Sequence, residues 1–162
     1  ANSACYMLAE ITAWAAEQNK TPYQIHKEIY KEFGFYKEGL LSLTKKGISG
    51  SEEIKKMMYE FRNNPPKQLL GADIIEIKDY KSSISKDIRS GKESTINLPK
   101  SDVLQFFTED GTKISIRPSG TEPKIKFYFG IKAKLNDIAD FEVVNNELNE
   151  RINTLIKLFS EE

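Results

Sequence analysis

Between two stretches of alternating apolar residues stands Arg117-Pro118-Ser119-Gly120-Thr121-Glu122-Pro123-Lys124, with Lys126 two positions on. These residue types suit the binding of an oxyanion. A guanidinium offers a planar fork of donors matched to two oxygens of a phosphate or carboxylate. Ser119 and Thr121 add hydroxyl donors. Gly120 lets backbone N–H groups come close to an anion. Pro118 and Pro123 stiffen both shoulders, which lowers the entropy lost when a ligand is held. On a strand, Lys124 and Lys126 share one face, opposite Ile125 and Phe127. The same residues also make a serviceable tight connection between strands, where Pro, Ser and Gly are expected for conformational reasons alone.

Other reactive side chains carry less. His26 is the only histidine; it lies on an amphipathic segment without the companion ligands a metal site needs. Cys5 is the only cysteine, so neither an intramolecular disulfide nor a cysteine-rich zinc site can be built. In an alanine-rich helix, with no base nearby, it reads as a packed thiol. No catalytic or metal-ligating residue is assigned.

Composition narrows the class. Charged residues make up 30% of the 162 and apolar types 39%, enough for a core and unlike a disordered chain. Lysine plus arginine equals aspartate plus glutamate, 24 against 24, which disfavours polyanion binding through bulk charge. No apolar run approaches the roughly 20 residues of a spanning helix, and no signal peptide is legible, so a cytoplasmic location and no membrane partner are expected.

The elements that must position the loop follow from periodicity. Tyr6, Leu8, Ile11, Trp14 and Ala15 recur at helical spacing. Thr21-Pro22 opens a second helix carrying Ile25, Ile29, Tyr30 and Phe33, stopped at Gly34. An extended stretch follows over 35–43, closed by Lys45-Lys46-Gly47, a solvated turn. Ser49 with Glu52 fits a capping box for a helix containing Ile54, Met57, Met58 and Phe61. Arg62-Asn63-Asn64-Pro65-Pro66 ends it, and the double proline is the expected domain boundary.

Beyond it the period shortens to about two. Ile75 and Ile77 predict one strand and 103–108 another. Residues 81–101 read as an exposed polar excursion. Glu109-Asp110-Gly111-Thr112 supplies a hairpin turn, Ile114 and Ile116 mark the returning strand, and Ile125, Phe127, Phe129 and Ile131 the next. A helix with Ile138, Phe141, Val144, Leu148, Ile152, Leu155 and Phe159 on one face closes the chain. The reading is α+β: helices over 1–64, then a four-stranded antiparallel sheet packed with helices over 65–162.

The string from Arg117 to Lys124, continued by Ile125-Lys126-Phe127-Tyr128, resembles the phosphate-binding loop of the α-D-phosphohexomutases, the superfamily of phosphoglucomutase, phosphomannomutase and phosphoglucosamine mutase. Phe35-Tyr36-Lys37-Glu38 and Leu43-Thr44-Lys45-Lys46-Gly47 are similar to the bacterial phosphoglucomutase/phosphomannomutase branch. The resemblance implies a TATA-box-binding-protein-like fourth domain over 65–162, preceded by the end of the third domain and a connector over 1–64.

It also implies a reaction. Such enzymes interconvert hexose 1-phosphate and hexose 6-phosphate through a bisphosphate, using a phosphoserine and Mg2+ held by other domains, with a glucose 1,6-bisphosphate-type activator. The fourth domain grips the phosphate that is not reacting. Carried over, Arg117, Ser119, Gly120 and Thr121 match the family's phosphate contacts. Lys126 stands where arginine is common, and Lys124 is a weaker candidate. Glu122 is expected to orient the loop.

The sequence holds no Thr-Ala-Ser-His-Asn-Pro-like nucleophile segment, no Asp-Gly-Asp-Gly-Asp-like metal cluster and no Gly-Glu-Glu-Ser-like sugar-selecting motif. The expectation is a C-terminal fragment, with Ala1 just downstream of that last loop, inactive alone. Its implied partners are a phosphorylated hexose and the remaining mutase domains. Tyr6, Trp14 and Tyr30, left uncovered, would offer a route to dimers. The rival reading is a stand-alone module for anions or single-stranded nucleic acid, based on Lys124, Lys126, Phe127 and Tyr128. The charge balance and the burial of Phe127 count against it, so no nucleic-acid partner is expected.

Overall fold

The computed structural model describes residues 2–45 and 47–160; Ala1 lies outside them, as does Lys46 in the expected turn after the first strand. Two compact units are present. The first comprises the chain up to Tyr36 with Ala133–Glu147; the second comprises Lys37–Lys132 with the residues from Leu148 on.

In the first unit, α1 (Asn2–Glu17) is followed by α2 (Pro22–Phe33). Thr21 caps α2 as expected: its hydroxyl accepts from the Gln24 N–H, and the Thr21 N–H donates to the Gln24 side chain at 2.7 Å. Tyr30 stacks on Phe35, which stacks on Phe141, with ring centroids 4.2 and 4.8 Å apart. The apolar stripe of α1 is not covered. Ala15 is buried, whereas Tyr6, Leu8, Ile11 and Trp14 are exposed, Tyr6 to 75%.

Among the described residues eight strands form one sheet: β1 (Phe35–Thr44), β2 (Gln68–Leu69), β3 (Ala72–Asp79), β4 (Ile84–Asp87), β5 (Glu93–Thr95), β6 (Leu104–Thr108), β7 (Lys113–Pro118) and β8 (Lys124–Ala133). Their order is β1-β8-β7-β6-β3-β4-β5, with β2 paired to β3. The pairs from β8 through β5 are antiparallel. The α+β reading therefore holds, with more strands than the four expected. Two of the additional ones, β4 and β5, arise inside the supposed excursion. Their pairing is held by the backbone, as Ile84 opposite Thr95 and Lys86 opposite Glu93, so it leaves little apolar signal.

In the second unit, α3 (Gly47–Asn63) and the α4 (Phe141–Ser160) residues from Leu148 on cover one face of the sheet. Ile54, Met58 and Phe61 recur at helical spacing and are buried. Phe61 lies edge-on to Phe127, centroids 5.9 Å apart, and Phe159 lies 5.2 Å from Phe127. Each such ring contributes about 1.5–3 kcal/mol by leaving water.

That packing places α3 with the sheet, so the compact units do not divide at the double proline; Pro65 and Pro66 lie inside the second unit. Nor does a capping box form at Ser49. The helix has already begun at Gly47, and Glu52 instead pairs with Lys55 at 2.8 Å. In β3 a register shift between Ile74 and Glu76 changes the alternation, making Ile74 the buried residue while Ile75 and Ile77 are only half covered.

Candidate functional site: an anion cradle between β7 and β8

The alternation that buries Ile114, Ile116, Ile125, Phe127 and Phe129 against the helices turns Lys113, Ser115, Arg117, Lys126 and Tyr128 to the other face. Antiparallel register sets Arg117 opposite Lys126 and Ser115 opposite Tyr128. The loop joining the two strands closes on itself. The Ser119 N–H donates to the Lys124 carbonyl at 2.7 Å, and the Lys124 N–H to the Glu122 carbonyl at 2.7 Å. The Lys45 N–H anchors it by donating to the Pro123 carbonyl at 2.9 Å.

Within the loop, Ser119 Oγ accepts from the N–H groups of Thr121 and Glu122 at 3.4 and 3.3 Å. These contacts satisfy the turn and leave the serine proton free to donate outward. A Cβ built on Gly120 meets no atom within 4 Å, and its φ is not left-handed, so the fold does not itself demand glycine there.

Arg117, Pro118, Ser119, Gly120, Thr121, Lys126 and Tyr128 line a hollow of about 300 Å³. Five of the six sequence-predicted residues thus converge: Arg117, Ser119, Gly120, Thr121 and Lys126. Lys124 does not line it. Its ammonium pairs with Glu122 at 3.0 Å, which also gives Glu122 a place in the loop's own bonding. Tyr128 joins those five in the lining, and its parity with Lys126 along β8 is the signal for it in the sequence. Among the described residues no carboxylate pairs with Arg117 or Lys126. Two cations directly opposite each other are mutually unfavourable, and a bound anion would relieve that repulsion.

Among the described residues no three His, Cys, Asp or Glu side chains converge as a metal site. Cys5 and His26 are exposed. No described helix is long and apolar enough to cross a membrane.

A sheet packed on one face by helices, with Arg117, Ser119, Gly120, Thr121 and Lys126 gathered at one strand connection, agrees with the sugar-phosphate mutase C-terminal domain that the resemblance implies. Residues 49–144 match the family "Phosphoglucomutase/phosphomannomutase, C-terminal domain", and the chain belongs to that family. It is 34% identical over 123 residues to a phosphoglucomutase of Staphylococcus saprophyticus, covering 76% of this chain and 22% of that protein. Against a phosphoglucomutase of Staphylococcus aureus it is 38% identical over 114 residues, covering 70% and 20%. The chain thus spans about a fifth of the length of these curated relatives. The open form of pp63/parafusin, a Paramecium phosphoglucomutase, overlaps 82% of this chain and 23% of its own at 16% identity. Its TM-score is 0.37, too low to add to the fold assignment.

Proposed function

We propose that this chain is the phosphate-gripping end of a phosphohexomutase that interconverts hexose 1-phosphate and hexose 6-phosphate. The observation that carries the reading is the cation pair Arg117 and Lys126, facing each other beside Ser119, Gly120 and Thr121 without a carboxylate partner among the described residues. The guanidinium fork takes two phosphate oxygens, Lys126 supplies a point charge, and the two hydroxyls and the Gly120 N–H fill the remaining directions. A site built this way reads a tetrahedral dianion and not the carbon bearing it. That suits a reaction in which the two ends of one sugar exchange places. Binding energy gained here, remote from the reacting phosphate, fixes orientation and helps exclude water.

Phosphoryl transfer, its magnesium ion and the glucose 1,6-bisphosphate-type activator belong in this reading to domains supplied by the rest of a longer enzyme, and this chain alone is inactive. The uncovered α1 stripe with Tyr6, Leu8, Ile11 and Trp14 is where those domains would pack. In their absence it would favour dimers.

Titration of the 162-residue chain with inorganic phosphate, followed by amide shifts, tests the cradle. Saturable shifts confined to Ser119–Thr121 and lost in Arg117→Ala are expected. No perturbation there would refute the reading, and robust mutase turnover by this chain would refute its assignment as a non-catalytic part.

A further inference from the structure

A second hollow, of about 530 Å³, adjoins the cradle on the same face of the sheet. Arg117 and Tyr128 line both, and Glu38, Lys113, Ser115 and Gly130 help to line the larger one. Resting on the phosphate reading above, we propose that this shelf binds the hydroxyl-bearing ring of the sugar whose phosphate occupies the cradle, with Ser115, Tyr128 and Gly130 as its specificity-determining residues.

The first argument is an oriented hydroxyl. The Tyr80 hydroxyl donates to Gln105 Oε1 at 3.0 Å, which fixes the amide, and Gln105 Nε2 donates to Ser115 Oγ at 2.9 Å. With its oxygen so engaged, Ser115 has its proton left to donate to a ligand. Directly across the strands stands Tyr128, 40% exposed, whose hydroxyl has no protein partner among the described residues.

The second argument is a glycine without a structural cause. Gly130 sits in the interior of β8, opposite Lys113, where glycine weakens a strand. Its φ is not left-handed, and a Cβ there would meet only the Lys113 carbonyl oxygen, at an ordinary 3.9 Å. Neither crowding nor backbone conformation requires it. Interior strand glycines often mark a place where a ligand approaches the backbone closely. The ring face of Tyr128, the bare backbone at Gly130, an acceptor in Glu38 and donors in Ser115 and Lys113 match the alternating apolar and hydroxyl surface of a sugar.

The inference predicts that the 162-residue chain binds glucose 6-phosphate about fivefold or more tightly than inorganic phosphate. The sugar phosphate should shift the amides of Ser115, Tyr128 and Gly130 in addition to those of Ser119–Thr121. Gly130→Ala and Ser115→Ala, each confirmed folded by an unchanged melting temperature, should remove most of that preference and leave inorganic phosphate binding intact. Equal affinities and the same shift pattern for the two ligands in the unsubstituted chain would overturn the shelf while sparing the cradle. So would a preference that survives both substitutions. Shifts with neither ligand would overturn the cradle and the shelf together.

Discussion

Arg117 and Lys126 occupy directly opposed positions on β7 and β8, and no described carboxylate neutralises either. Like charges so placed cost a sheet roughly 0.2–1 kcal/mol. Replacing Arg117 by alanine should therefore leave stability unchanged or slightly raised. The same change removes charge-assisted bonds of about 1.5–3 kcal/mol from a bound phosphate, a loss of roughly 10- to 100-fold in affinity. Arg117→Lys should fall between, since it keeps the charge and loses the fork. In a full-length enzyme carrying this domain, Arg117→Ala should raise KM severalfold or more and lower kcat/KM. Thermal melts together with phosphate titrations separate the two effects.

Gly120 gives a sharper separation of folding from binding. Because a Cβ there finds open space and a permitted φ, Gly120→Ala should change stability by no more than about 0.5 kcal/mol. The methyl group would stand beside the backbone N–H that an anion must reach, so phosphate affinity should fall severalfold. A melt and a titration on the same sample check both halves, and an unchanged phosphate affinity would remove glycine from the recognition argument.

The loop was legible because its residue types are few and its flanks alternate cleanly: Ile114 and Ile116 before it, Ile125 to Ile131 after it, all buried on schedule. Capping at Thr21 was legible for the same reason, a local pattern with a local cause. What escaped depends on partners distant in sequence. Strands β4 and β5 pair through backbone groups with polar side chains, so composition reads them as loop. The bulge in β3 moves burial to Ile74, which alternation alone cannot foresee. The shelf is built from Glu38, Ser115 and Gly130, residues brought together only by the order of the strands. Lys124 shares its face with Lys126, yet its ammonium pairs with Glu122 and it does not line the cradle, which no spacing rule foretells.

Gly39 in β1 is a glycine with a packing cause, in contrast to Gly120 and Gly130. A Cβ there would lie 2.5 Å from Ile152 Cγ2 and 3.3 Å from its Cδ1. Ile152 is buried and branched at Cβ, so it has little freedom to turn aside. Gly39→Ala should destabilise the chain by about 1–3 kcal/mol through overpacking. Ile152→Ala should cost less in the Gly39→Ala background than in the parent chain, because the two changes share one space. Denaturant melts of the two single variants and the double variant measure the coupling, and strictly additive losses would reject the contact as the cause.

Arg151 of α4 bonds Asp110 in the β6–β7 turn, tying helix to hairpin at the end of β7 away from the cradle. Burial pushes the Asp110 carboxyl up, but it is outweighed. The Thr108 hydroxyl, the Thr112 N–H and hydroxyl, and the Arg151 guanidinium all favour the charged form and bring the pKa down from 3.8 to about 2. A carboxyl whose pKa is lower in the folded chain stabilises it fully above about pH 4, and that contribution is lost as the pH falls toward 2. With Asp110 one-third exposed, solvent screening reduces its worth to roughly 1–2 kcal/mol. Asp110→Asn should lower stability by that amount at pH 7 and flatten the acid side of the stability profile between pH 4 and pH 2. Chemical denaturation across that range checks the sign. If the variant and the parent chain lose stability in parallel as acid is added, Asp110 does not supply the slope, and the tie to Arg151 is structural packing without a charge requirement.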